Sequence, residues 1–188
     1  LSSIFALSAV LSLATEPAQA GPIAGGLELW LDADDASTFT FSSGNQVSQW
    51  GDKSGSGNHA STGSNYPTRQ TGVIGGMPAV SFNRGPLTVP GGLNILANQD
   101  RTTWMVMDYS TATNNSEIFG TSTANAVDVG QWSVPWRLRL RQGDNAFSPA
   151  NSLPAGSHLL EIQADTAGSH AWRNGTQIID TTDSRFHW

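Results

Sequence analysis

Trp136-Arg137-Leu138-Arg139-Leu140-Arg141 places a cationic side chain at every second position. A period of two is that of a pleated strand, whose neighbouring side chains point to opposite faces. The spacing therefore predicts a strand with Leu138 and Leu140 on a core face and Arg137, Arg139 and Arg141 on a wet one. His158-Leu159-Leu160-Glu161-Ile162-Gln163-Ala164-Asp165 repeats the pattern, with His158, Leu160, Ile162 and Ala164 expected inward. In Trp104-Met105-Val106-Met107 the tryptophan and valine share one side and the methionines the other. Leu27, Leu29 and Leu31 alternate with Glu28, Trp30 and Asp32, which reads as another strand. Asn174-Gly175, between Ala171-Trp172-Arg173 and Thr176-Gln177-Ile178, supplies the two positive-φ positions of a type I′ turn and predicts a hairpin. Further strands are expected at Gln46–Trp50, Ala79–Phe82 and Glu117–Gly120. No apolar period of 3.6 residues reaches helix length after residue 20.

Composition agrees with a fold of many turns. The 188 residues include 20 Gly and 9 Pro, with 38% hydrophobic and 13% charged residues. That length suits one domain with its own core. The formal net charge is −6, Lys53 is the single lysine, and no Lys/Arg stripe runs along the chain. This argues against nucleic acid and anionic lipid as partners. Cysteine is absent, which removes thiol catalysis and thiolate metal sites.

Residues 1–20 read as a signal peptide incomplete at its N-terminus. Ile4 to Leu13 is an apolar run too short to span a bilayer, followed by the A-x-A site Ala18-Gln19-Ala20. The alternative is a buried N-terminal helix or strand. With a leader, residues 21–188 form the exported domain, secreted or held at the cell surface, with no membrane insertion after processing.

Two longer stretches carry a resemblance. Leu29-Trp30-Leu31-Asp32-Ala33-Asp34 is followed by Val47-Ser48-Gln49-Trp50-Gly51-Asp52-Lys53-Ser54-Gly55-Ser56-Gly57-Asn58-His59-Ala60, then Pro67 and Met77-Pro78-Ala79-Val80-Ser81-Phe82. These resemble the laminin-G-like, concanavalin-A-like domains of exported bacterial proteins, over roughly Gly26 to Ile179. The resemblance implies an all-β antiparallel sandwich of jelly-roll type. Such domains usually close with a further strand after the segment that ends here near Asp183, so the C-terminal strand is expected to be missing. The resemblance also implies one Ca²⁺ at a rim. Asp32, Asp34, Asp52 and Asn58, with Asp35, are the oxygen donors in the two signature loops. Read physically, the same acids are also good turn residues, and the Asp52 carboxylate can accept backbone N–H bonds and order its loop.

Catalysis finds no support in the sequence. Glycoside hydrolysis needs two carboxyl groups about 5–5.5 Å or about 6.5–9.5 Å apart. Glu161 and Asp165 share a face but stand about 13 Å apart at strand rise, and Asp32 and Asp34 sit where a strand enters a turn. The histidines at 59, 158, 170 and 187 are scattered, and no nucleophile elbow occurs. A glycan or protein surface is the expected partner, with the unit belonging to a longer chain. Trp132 and Trp136 flank a Ser-Val-Pro turn and offer indole faces for sugar stacking, with at least one expected to be mostly exposed. Arg137 and Arg139 could add contacts to acidic glycans. The plainer reading makes them core tryptophans beside a solvated edge. A structural or adhesive unit without a small ligand is the alternative, and a glycoside hydrolase ranks behind both.

Overall fold

The computed structural model describes residues 26–82, 85–93, 100–109, 116–120, 128–132, 137–142, 144–149 and 152–182. For Tyr109, 116–120, 128–132, 137, 140–142 and 144–147 the description is of backbone only. The leader residues, Trp136 and the Ser-Val-Pro turn lie outside these ranges. Among the described residues the fold is all-β, with one 3₁₀ turn at Ala36–Thr38 and no helix long and apolar enough to cross a membrane.

Three antiparallel sheets account for the strands. Sheet A holds β1 (Phe39–Ser43), β2 (Gln46–Trp50), β3 (Ala60–Ser61), β4 (Thr68–Ile74) and β5 (Met77–Ser81) in the order β1-β2-β4-β5, with β3 beside β2. Sheet B is built from β6 (Arg101–Tyr109), β11 (Gly156–Asp165), β12 (Gly168–Arg173) and β13 (Thr176–Thr181) in the order β13-β12-β11-β6. Sheet C is a meander of β7 (Ser116–Gly120), β8 (Asp128–Trp132), β9 (Arg137–Gln142) and β10 (Asp144–Phe147). Glycine shapes the tightest connections. In the β12–β13 hairpin Asn174 and Gly175 have φ of 49° and 78°, the left-handed pair that a type I′ turn requires.

The alternation along β11 holds. His158, Leu160, Ile162 and Ala164 are buried, whereas Ser157 and Leu159 are exposed. Leu160, Ile162 and Ala164 join Ala171, Ile179, Leu153 and Leu138 in one apolar cluster, against which Met105, Met107 and Ile178 pack. Leu138 belongs to β9, so this cluster brings β9 of sheet C against sheet B. His158 Nε2 donates to the Pro154 carbonyl at 2.6 Å. That bond makes the imidazole a strand-start anchor.

Two expectations are corrected. Arg139 is only 5% exposed and therefore does not stand on a wet cationic row. Leu138, its neighbour on the opposite face, is also fully buried, so β9 is covered on both sides at this point. A strand enclosed on both faces loses the one-sided wetting on which the alternation argument rests. The side chains of Arg137 and Arg141 lie outside the description.

Leu27 to Leu31 is not a strand either. Its backbone bonds go to the loop after Trp50 instead of to a ladder. Lys53 N–H donates to the Trp30 carbonyl at 2.9 Å. The Asn58 side-chain amide and the Ser54 hydroxyl both donate to the Glu28 carbonyl, at 2.8 and 3.3 Å. Loop side chains thus do the work of a neighbouring strand, and an alternating sequence cannot reveal that exchange.

Candidate functional site

The signature loop is a closed electrostatic unit. Asp52 Oδ1 accepts the Trp30 N–H at 2.8 Å and the Ser54 N–H at 2.9 Å. Its Oδ2 accepts the Ser54 hydroxyl at 2.7 Å and the Asn58 N–H at 2.9 Å. Burial works to raise this carboxyl's pKa, but the Ser54 hydroxyl and the three backbone donors prevail and hold it below the usual range. Beside it, the Lys53 ammonium lies 2.8 Å from Asp32 Oδ2 and 2.9 Å from Asp35 Oδ2. The same ammonium sits 4.5 Å from the centroid of the Trp30 ring, within cation–π reach.

The residues proposed for calcium therefore come together in part, in another role. Asp32 and Asp52 share the unit, and Asn58 contributes donors to it. Asp34 is exposed, with its N–H bonded to Asp32 Oδ1 at 3.0 Å. A calcium ion needs six to eight oxygens free to turn toward it. Here both oxygens of Asp52 are filled, and an ammonium already holds Asp32 and Asp35. Among the described residues no group of three or more His, Asp or Glu is set to hold a metal ion. The donor set does not fit calcium. Addition of millimolar Ca²⁺ is accordingly expected to leave the thermal midpoint where it is. A site filled at a hundred times its Kd would add about 2.7 kcal/mol, a rise that a melting curve would show at once.

The outer face of sheet B has a different character. Trp104 on β6 and Trp172 on β12 are both the Cα partners of Glu161 on β11. The three side chains thus form one row across three strands, with a carboxylate between two indoles. At about 4.8 Å per strand, the tryptophan backbones lie about 9.6 Å apart. Trp104 is 51% exposed, and the adjoining pair Val106 and Leu159 are 64% and 46% exposed. On the other side of the row, Gln163 stands between Thr102 and His170, and His170 pairs with Asp180. The Gln163 amide donates to Glu161 Oε1 at 2.9 Å, and His170 Nδ1 lies 2.9 Å from Asp180 Oδ1. The His170 and Trp172 rings are tilted against each other at 6.0 Å. A shallow hollow of about 290 Å³ opens where β6 begins and β11 ends, lined by Asp100, Arg101, Thr102, Gln163, Ala164 and Asp165.

Contiguous apolar exposure on this scale needs a reason, because burying a large aromatic side chain is worth several kcal/mol. The inner positions of β6 and β11 are committed to the core, and the period of two leaves Trp104, Val106 and Leu159 outside it. Sequence reasoning places Trp104 opposite the methionines but cannot set it in register with Glu161 and Trp172. The indoles that the sequence singles out are different ones. Trp132 is the Cα partner of Arg137 at the end of sheet C, its side chain outside the description, as is all of Trp136.

No family model, no curated protein and no solved structure matches the chain, so the role of this face rests on its own residues.

Proposed function

We propose that the chain is a non-catalytic, exported binding module, and that it recognises carbohydrate on the outer face of sheet B. The observation that carries this reading is the row Trp104–Glu161–Trp172, with Trp104 exposed and Trp172 half-buried. Sugars present C–H faces that stack on indoles and hydroxyls that need polar neighbours. Glu161, Gln163 and the His170–Asp180 pair provide those neighbours within one strand spacing. The backbones of the two tryptophans, two strands apart, are spaced for two rings of a chain to be engaged together.

The acids of this face support a binding role over hydrolysis. Glu161 is bonded to Gln163 and Asp180 to His170, so each acid is already engaged by a neighbour on the face. The apolar leader and its cleavage site support export, and the laminin-G-like resemblance suits a jelly-roll unit of a longer surface chain. A second reading, adhesion to another protein, draws on Val106 and Leu159, aliphatic residues whose use in stacking a sugar is small.

A glycan-array screen of residues 21–188 tests the proposal. Trp104→Ala is expected to weaken binding of any positive glycan about 10-fold or more, the usual cost of removing an aromatic anchor. Because Trp104 is half exposed, its loss should cost about 1–2 kcal/mol of stability, less than truncation of a fully buried side chain. A glycan that binds Trp104→Ala and the parent chain alike would place recognition elsewhere.

A further inference from the structure

If the outer face of sheet B binds saccharide, its charge restricts which sugars it can seat, and that restriction stands only as long as the saccharide proposal does. Across the described outer positions of sheet B the ionisable groups are Asp108, Glu161, Asp165, His170 and Asp180. No lysine or arginine is among them. Arg101 and Arg173 are the Cα partners of Ala164 and Leu160, which put them on the core-facing side. Arg139 is buried and Lys53 is held by Asp32 and Asp35. Along the row itself a glycan carrying carboxylates or sulfates would thus meet like charge, Arg101 lining only the hollow at the end of the face.

We propose that the face selects saccharides bearing free amino groups, seated on Glu161 between Trp104 and Trp172. Glu161 Oε1 already accepts from Gln163, which fixes the carboxylate in position. Its Oε2 holds no bond among the described residues and can accept from an ammonium. That ammonium would also lie between the strands that carry the two indoles, each backbone one strand spacing of about 4.8 Å away. An aromatic face turned toward it would add cation–π attraction. A carboxylate flanked by two rings is matched to a positive charge on a flat apolar ring, and an aminosugar is such a molecule.

The test compares hexamers of glucosamine, N-acetylglucosamine and galacturonic acid, titrated into the chain with tryptophan fluorescence or calorimetry as the readout. The glucosamine hexamer is expected to bind about 10-fold more tightly than its acetylated counterpart, the worth of one charge-assisted hydrogen bond. Raised salt should shrink this advantage. Glu161→Gln should abolish it while leaving the acetylated hexamer bound, and Trp104→Ala should weaken both. Equal binding of the two hexamers, or a preference that survives Glu161→Gln, would overturn the amine selection and leave saccharide binding standing. Tightest binding of the uronate would also overturn it. Failure of all three hexamers, with no positive on the glycan array, would bring down the saccharide reading itself.

Discussion

Asp52→Ala is expected to lower the stability of the folded chain by about 3 kcal/mol, although the residue lies outside the apolar cluster. Four donors converge on one carboxylate, and each such bond contributes about 1 kcal/mol net, more when the acceptor is charged. Removal leaves the part-buried Trp30, Ser54 and Asn58 N–H groups to find water. It also frees Leu27 to Leu31, which is tied to the body through this loop rather than through a ladder. Denaturant unfolding would measure the loss as a lower midpoint with an unchanged slope. Asp52→Asn, which keeps an acceptor without the charge, should recover part of it. A change below about 1 kcal/mol for the alanine variant would mean that the loop does not depend on its carboxylate.

The same unit has a signature in pH. Asp35 is held down to about 2, first by the Ser37 hydroxyl and then by Lys53, and Asp32 is lowered chiefly by its bond to Lys53. A carboxyl whose folded pKa lies below its unfolded value binds fewer protons in the native state. Its stabilising effect is therefore complete above the ordinary carboxylate range near 3.9 and fades as pH falls from there toward 2. The Lys53 pKa is raised, by Asp32 first and Asp35 second. Its share is present below about 10.5 and is lost only as the solution becomes more alkaline than that. A stability profile that is flat from neutrality to about pH 5 and falls below it is the expected curve. Asp52→Ala should blunt that fall.

Leu160→Ala is the second large effect, at about 2–5 kcal/mol. Leu160 is 0% exposed, and β11 is the strand through which β6 and β12 are joined. Truncation there removes buried methyl groups and leaves a cavity that a close-packed cluster can only partly close. Its neighbour makes the comparison sharp. Leu159 is 46% exposed on the opposite face, so Leu159→Ala should cost no more than about 1 kcal/mol. Two leucines side by side, truncated in the same way, thus report the register of the strand. Similar losses at both positions would show that the two faces of sheet B are not distinguished as described.

What is legible in the sequence is the local pattern. Period-two spacing identifies β11 with its inward members, the two sides of β6 and the Asn-Gly hairpin, because each of these depends on a few consecutive residues. The same spacing says less wherever a distant partner decides the outcome. Leu27 to Leu31 alternates as a strand does, yet its hydrogen bonds go to Asp52, Lys53, Ser54 and Asn58. Arg139 alternates as a wet residue does, yet β9 is covered on both sides. The resemblance points to Asp32 and Asp52 as metal ligands, and composition alone cannot show that Lys53 reaches between Asp32 and Asp35. The row of Trp104, Glu161 and Trp172 comes from three strands separated by up to 68 positions, and only the pairing register assembles it.

Lys53 has a practical consequence for anyone who handles this protein. It carries the chain's sole ε-amine, and that amine is the one gripped by Asp32 and Asp35. Acylating dyes, biotin esters and sensor-chip chemistries that seek lysines would cancel its charge and leave two acids facing each other unshielded. A tag attached through an engineered cysteine, in a chain that has none of its own, would spare that grip.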